Sequence, residues 1–424
     1  MTVTVAAPPR VQARPRVGWR TLYGGTLAFW VVTRLLVLVH QGAWPWMNAF
    51  VVDAARGMVV GDWNEAVRPQ LPAVLGVPLV LAGATEQQTV AVLYVVASLI
   101  QFGAFLALVR ALFPARLIEQ ALALLFFVLV PYNHSIHHYR DVPVVLASSG
   151  VFLLGAHWLH AERGDVGGVR SWLWVFGSTV LAVWSRTEAL TFVGVLVVLG
   201  LVAWRARALK TVGLYIGAAA IASGALLLAN RLEGVDPAEA GRYQWHTFLD
   251  STPESWLSPE CRADATENCR EQEGLTYFGP ADPQGGVLPM VEHHPLTTLA
   301  KTAQSAWDNV WIILGPNSST FPGIVPFLFV VGVVVPAARE ELRRVPAAAW
   351  MLVVATLAET VLPPLSWAPP HPQYHLQMVL AVVVPIVAVL AALWALARGR
   401  WVVILFFVGN AALSAFRYTR YPGY

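Results

Sequence analysis

An all-α protein that crosses a membrane about eleven times is the fold the sequence predicts, on three observations. Hydrophobic residues make up 57% of the 424 and charged residues only 12%, where a soluble chain carries about 25% charge. Mean hydropathy is +0.58. The apolar residues are gathered into runs that approach the length needed to cross a hydrocarbon core about 30 Å thick at about 1.5 Å per residue. Such a chain has too little polar surface to cover itself in water, and its apolar content excludes a disordered or fibrous protein. The net charge of +3 gives no reason to expect a nucleic-acid partner.

In chain order the runs are 22–40, 88–109, 117–131, 143–161, 172–185, 188–204, 211–230, 321–336, 347–366, 376–397 and 401–416. An arm bearing Arg10, Arg14, Arg16 and Arg20 precedes the first. No small-residue cleavage site follows that run, only His40-Gln41-Gly42-Ala43-Trp44, so it reads as an anchor rather than a removed leader. By the positive-inside rule the arm stays in the cytoplasm. Alternating from there, the inner loops receive Arg110 and Arg116, Arg163 and Arg170, Arg205, Arg207 and Lys210, Arg339, Arg343 and Arg344, then Arg398 and Arg400. With the arm, that is more than half of the 28 basic residues. The expected organisation is a cytoplasmic basic arm (1–20), an N-terminal transmembrane catalytic module (21–230) with a first outer loop at 41–87, a large outer loop (231–320), and a C-terminal transmembrane module (321–424).

Both cysteines, Cys261 and Cys269, fall in the large outer loop. On the oxidising side of a bacterial-type plasma membrane this spacing favours one short disulfide; a metal would need more ligands nearby. The histidines are as lopsided as the arginines. Of the 11, only His157 and His160 fall inward, which points to a polar cavity opening outward.

Three segments concentrate the chemistry. In the first outer loop, Asp53 sits in N-A-F-V-V-D-A-A-R at 48–56, ahead of Gly61-Asp62-Trp63 and a proline-interrupted apolar run ending at Gly83. That run is too short to span and reads as an interfacial helix. A carboxylate among apolar residues at the membrane edge suits a general base; equally, Asp53 could cap a helix beginning at Ala54. The second segment, P-Y-N-H-S-I-H-H-Y-R-D-V-P at 131–143, crowds His134, His137, His138, Arg140 and Asp141 together. His134 and His138 would share a helix face, the spacing of a metal pair, yet Arg140 and hydrogen-bonding histidines suit a phosphate better. The third, Trp367 to His375, brings Pro372, Gln373, Tyr374 and His375 to the mouth of an apolar run. Arg186, between two runs, and Arg34, inside the first, are further costly charges. Arg186 and Glu188 could also be a simple local ion pair.

The order of these features resembles the GT-C superfamily of integral-membrane glycosyltransferases, mannosyltransferase-like enzymes that use polyprenyl-phosphate sugars. The resemblance covers roughly 20–400: a basic arm, a first run with an arginine, a large first outer loop with an acid, G-D-W and a proline-bracketed helix, the R-D-V-P entry, S-R-T-E-A-L at 185–190, and H-P-Q-Y-H at 371–375. It implies a GT-C-like helix bundle with outward-facing loops, and a catalytic base in the first loop, which falls on Asp53. The acid-to-glycine spacing is shorter here than in the family, so Asn48 or Asp62 could hold the equivalent place, and Asp141 is a further candidate acid. The resemblance also implies that the donor phosphate rests near His138, Arg140, Arg186, Tyr374 and His375. No metal ligand is assigned, although a divalent ion near the phosphate is compatible with the chemistry. The implied partners are a polyprenyl-phosphate-linked sugar, a glycan, lipid or protein acceptor, and membrane lipids. The rival classes are a secondary transporter, against which stands the lack of an internal repeat, and a non-catalytic envelope-assembly protein.

Overall fold

The architecture is taken from a computed structural model, which describes residues 18–41, 46–60, 70–129, 142–164, 167–204, 209–232, 248–249, 252–264, 267–279, 288–314, 324–361 and 378–420. Among them every regular element is helical. The helices are α1 (Trp19–Gln41), α2 (Trp46–Val60), α3 (Gln70–Leu81), α4 (Glu86–Leu112), α5 (Leu117–Leu129), α6 (Val142–Arg163), α7 (Gly168–Val183), α8 (Ala189–Trp204) and α9 (Leu209–Leu232). Then follow α10 (Pro259–Asp264), α11 (Glu267–Phe278), α12 (Leu288–His293), α13 (Pro295–Leu314), α14 (Ile324–Val334), α15 (Pro336–Arg344), α16 (Ala347–Val361), α17 (Met378–Ala395) and α18 (Gly399–Arg420).

A helix occupies each of the apolar runs read from the sequence. Among the described residues four are long and apolar enough to cross a membrane: Glu86–Leu112, Val142–Arg163, Leu209–Ala229 and Met378–Ala395. Shorter apolar helices accompany them, including Leu117–Leu129, Gly168–Val183, Ala189–Ala203 and Ala347–Glu359. This composition is that of a membrane protein.

The bundle is built around α6. Within its most apolar stretch 94% of residues are buried, against 22% for α9, which lies at the periphery. α6 packs on α4 and α7, and small residues allow the approach. A Cβ on Gly150 would fall 2.6 Å from the backbone nitrogen of Ala182 and the carbonyl of Ser178, so α6 and α7 cross with backbones in contact. Between α4 and α6, Gln101 Nε2 donates to Ser148 Oγ at 2.8 Å, and the Ser148 hydroxyl donates in turn to the Val145 carbonyl. An aromatic cluster fills the core beside α1: Phe105 stacks on Phe127 at 4.0 Å, Phe127 meets Trp30 at 4.8 Å, and the Trp30 indole donates to the Ser98 carbonyl. His157 joins three helices, its ring within hydrogen-bond reach of Ser171 on α7 and of Tyr215 on α9.

One end of the bundle is marked by arginines. Arg163 donates to the Ala111 carbonyl, fixing the end of α6 beside the end of α4. Arg116 pairs with Glu119 and reaches Glu341 on α15, while Arg344 also pairs with Glu341. α15 begins at Pro336 in its first turn, where proline's missing N–H costs nothing. α4, α7 and α16 therefore run with their opposite ends gathered away from these arginines, and that end carries Glu86, Arg186, Glu188 and Glu359.

Candidate functional site

Two polar clusters occupy the end of the bundle away from the basic loops. The first is carried by α2. This helix starts at Trp46, so Asp53 lies in its middle and not at its N-terminus. The capping alternative for Asp53 is thereby overturned, because a cap residue flanks the start of its helix. α2 buries Val51, Val52, Ala54 and Ala55 and leaves the Asp53 side chain 45% exposed. Arg56, one turn on, lies 3.5 Å from Asp53 and 3.4 Å from Glu86 at the first turn of α4. α3 lies against α2 because Gly76 admits Ala55: a Cβ there would meet the Ala55 methyl at 3.2 Å. The proline-interrupted run ending at Gly83 does form a helix, α3, with Pro78 inside it.

The second cluster forms where α7 gives way to α8. The helix stops at Val183 and restarts at Ala189, and the intervening S-R-T-E turn is held by backbone bonds from Arg186 N to the Ala182 carbonyl and from Thr191 N to the Glu188 carbonyl. The Arg186 Nη2–Glu188 Oε1 ion pair spans 2.9 Å, with side chains only 13% and 18% exposed. α16 packs against α8 and contributes Glu359, 5% exposed, to this end of the bundle. Glu359 Oε2 is buried with no hydrogen-bond partner among the described residues, and so is Ser185 Oγ. A buried ion pair and a further buried carboxylate therefore stand at the same end of the bundle.

Glu359 was not among the residues singled out from the sequence. The signal was present: it is a lone carboxylate inside the apolar run 347–366, and an ionisable group at such a position marks a site by default.

A backbone bond joins the two clusters' supports. Leu71 N, in the first turn of α3, donates to the Trp184 carbonyl at 3.1 Å, and the Trp184 indole donates to the Ala222 carbonyl on α9. The α2–α3 pair is thus fastened to the turn that carries Arg186. Of the other residues expected at the site, Asp62, Asp141, His138, Arg140, Tyr374 and His375 lie outside the described residues.

The loop between α9 and α13 contains a small separate core of Phe248, Leu249 and Phe278, with Trp256 and Leu275 against it. Cys261 and Cys269 are joined in a disulfide that ties α10 to α11. Glu273 accepts hydrogen bonds from both the backbone N–H and the hydroxyl of Ser258. Its carboxylate and the two sulfurs lie within 4.8 Å of one another. Sulfurs spent in a disulfide are not thiolates, so this trio fits a metal only after reduction. Neither a protein-family model nor a curated protein nor a solved structure matches the chain.

Proposed function

We propose that the chain is a GT-C-type glycosyltransferase of the cell membrane, with about eleven spans and an outward-facing site. It would transfer a sugar from a polyprenyl-phosphate donor to an envelope glycan, lipid or protein. The observation that carries this reading is the fastening of the first-loop helices to the Arg186 turn. Two segments that the motif order links only in sequence, the acid-bearing loop and S-R-T-E, meet at one end of the bundle. The same end carries Glu359.

The chemistry follows from those groups. The acceptor oxygen attacks the anomeric carbon while a carboxylate, Asp53 in this assignment, takes its proton. The bond from that carbon to the phosphate oxygen breaks on the opposite face, so the configuration inverts. The lipid phosphate departs with the bonding electrons and needs no proton, only donors for its charge. Glu188 occupies one edge of Arg186, and a guanidinium has five N–H donors, so pairing orients the group without exhausting it. The side chains of His138, Arg140, Tyr374 and His375 would complete the phosphate site, with Asp62 and Asp141 as the other acids able to serve as base. A divalent ion at the phosphate is compatible with this scheme and no step depends on it.

The test uses the purified full-length protein with radiolabelled polyprenyl-phosphate sugars and an envelope extract as acceptor. Label should move from lipid to acceptor with inversion, and mass spectrometry of envelope glycans with and without the gene should show one sugar missing. No transfer from any polyprenyl-phosphate hexose or pentose, with envelope composition unchanged, rejects the reading. A buried charge cluster at a helix break also favours a second reading, a secondary transporter. Solute uptake into proteoliposomes without any sugar transfer would select it.

A further inference from the structure

Helix α13 is amphipathic with its polarity reversed. Thr298, Lys301 and Ser305, at helical spacings of three and four, are 8%, 1% and 3% exposed. Leu296, Leu299 and Trp307, on the opposite stripe, are 79%, 63% and 61% exposed, and Ala303 between them is exposed as well. A helix facing water on its outer side does the opposite. The buried face is well used: the Lys301 ammonium sits 3.7 Å from the ring centroid of Phe248, in the small core of the preceding loop, and α13 packs on α16. The outward stripe is solvent-exposed along the helix, and no charged residue is exposed on the described part of it.

We propose that α13 lies in the outer leaflet, its Leu296–Leu299–Ala303–Trp307 stripe set into the headgroup–acyl boundary, so that it seats the disulfide-bonded loop core on the membrane surface. Four observations select lipid as the occupant. The stripe is apolar and uncharged along its length. Trp307 belongs at that boundary, where its ring is apolar and its N–H wet. The chain passes within ten residues into α14, whose Phe329, Val330, Val333 and Val334 are 72%, 57%, 56% and 69% exposed, so the apolar surface continues along the chain into an all-apolar helix. Finally, the stripe offers on the order of 400 Å², from exposures applied to side chains of about 150–250 Å², and one side of a stable dimer buries about 800 Å². The inference rests on the membrane topology proposed above and is independent of sugar transfer.

The full-length protein, reconstituted in phosphatidylcholine–phosphatidylglycerol vesicles, gives the test. Both native cysteines are bonded to each other, so a single cysteine at L299C or A303C takes a bimane label selectively, at exposed positions that do not disturb packing. Q272C, exposed on α11, is the aqueous reference, and F329C, on α14, the lipid reference. Brominated acyl chains should quench the label at 299 and 303 to the extent seen at 329, with an iodide quenching constant several-fold below that at 272. Iodide quenching at 299 equal to that at 272 overturns the proposal. Protection from both quenchers also overturns it, because another protein surface then covers the stripe. Iodide access at 329 itself would overturn the topology and the proposal together, which separates that failure from a failure at 299 alone.

Discussion

Asparagine in place of Asp53 keeps the shape of the side chain and removes the carboxylate that would accept the hydroxyl proton. Because Asp53 lies mid-helix, half exposed, with Arg56 only at 3.5 Å, its contribution to stability should be under about 1 kcal/mol. Thermal stability should therefore stay put while transfer falls about 10²–10⁴-fold; Asp62→Asn and Asp141→Asn decide the register, and full activity in all three rejects the base. Arg186 behaves differently. Removing it as Arg186→Ala leaves Glu188 buried and uncompensated, a loss of about 3–5 kcal/mol. The double variant Arg186→Met with Glu188→Gln should recover most of that stability and remain inactive, because the guanidinium is then missing from the proposed phosphate site. A stable and active double variant would reduce the pair to a structural clamp. At this scale the sequence was only partly legible. Arg186 stood out because a charge in an apolar run is costly, and the same reasoning applies to Glu359, whose significance emerges only when α16 folds against α8 and buries a further carboxylate at that end of the bundle.

The helices were the most legible level, because an apolar run of given length has few structures open to it. The break at 185–188 was visible as four polar residues, and the fold turns it into a tight hydrogen-bonded corner. What sequence does not disclose is which side of a helix meets protein. For α13 the burial of Thr298, Lys301 and Ser305 reverses the orientation that an amphipathic pattern suggests in water. Nor does a one-dimensional row reveal where two backbones touch. Gly150 is one of 32 glycines, but it is the place where α6 meets α7. Gly150→Ala should force the helices apart and cost about 1–3 kcal/mol, read as a lowered unfolding temperature in detergent. Gly103→Ala, on α4 with nothing within 4 Å of the added methyl, should be neutral or stabilising by up to about 1 kcal/mol. Equal effects at both positions would contradict the crossing geometry.

The whole molecule presents two chemically different ends. One is an arginine-rich rim where Arg116, Arg344, Glu119 and Glu341 form a network among the loops. The other holds the Arg186–Glu188 ion pair, the buried Glu359 and the α2–α3 pair fastened to the α7–α8 turn. Positive charge is retained on the cytoplasmic side during insertion, so the first end should face inward and the second outward. A lipid-linked donor could then approach the second end from within the bilayer. A polar acceptor could reach it across the loop core closed by Cys261 and Cys269. Reporter fusions decide this directly. A fusion after Gly83, at the end of the α3 region, and others within 250–290 should be active only as exterior reporters, while one near Arg207, between α8 and α9, should read as cytoplasmic. Those loops lie at opposite ends of the helices that join them, so the three results are linked and cannot all invert unless the entire bundle does. An exterior signal near Arg207 would place Arg186, Glu359 and Asp53 on the cytoplasmic side, and an outward-facing transfer reaction would have no site at which to occur.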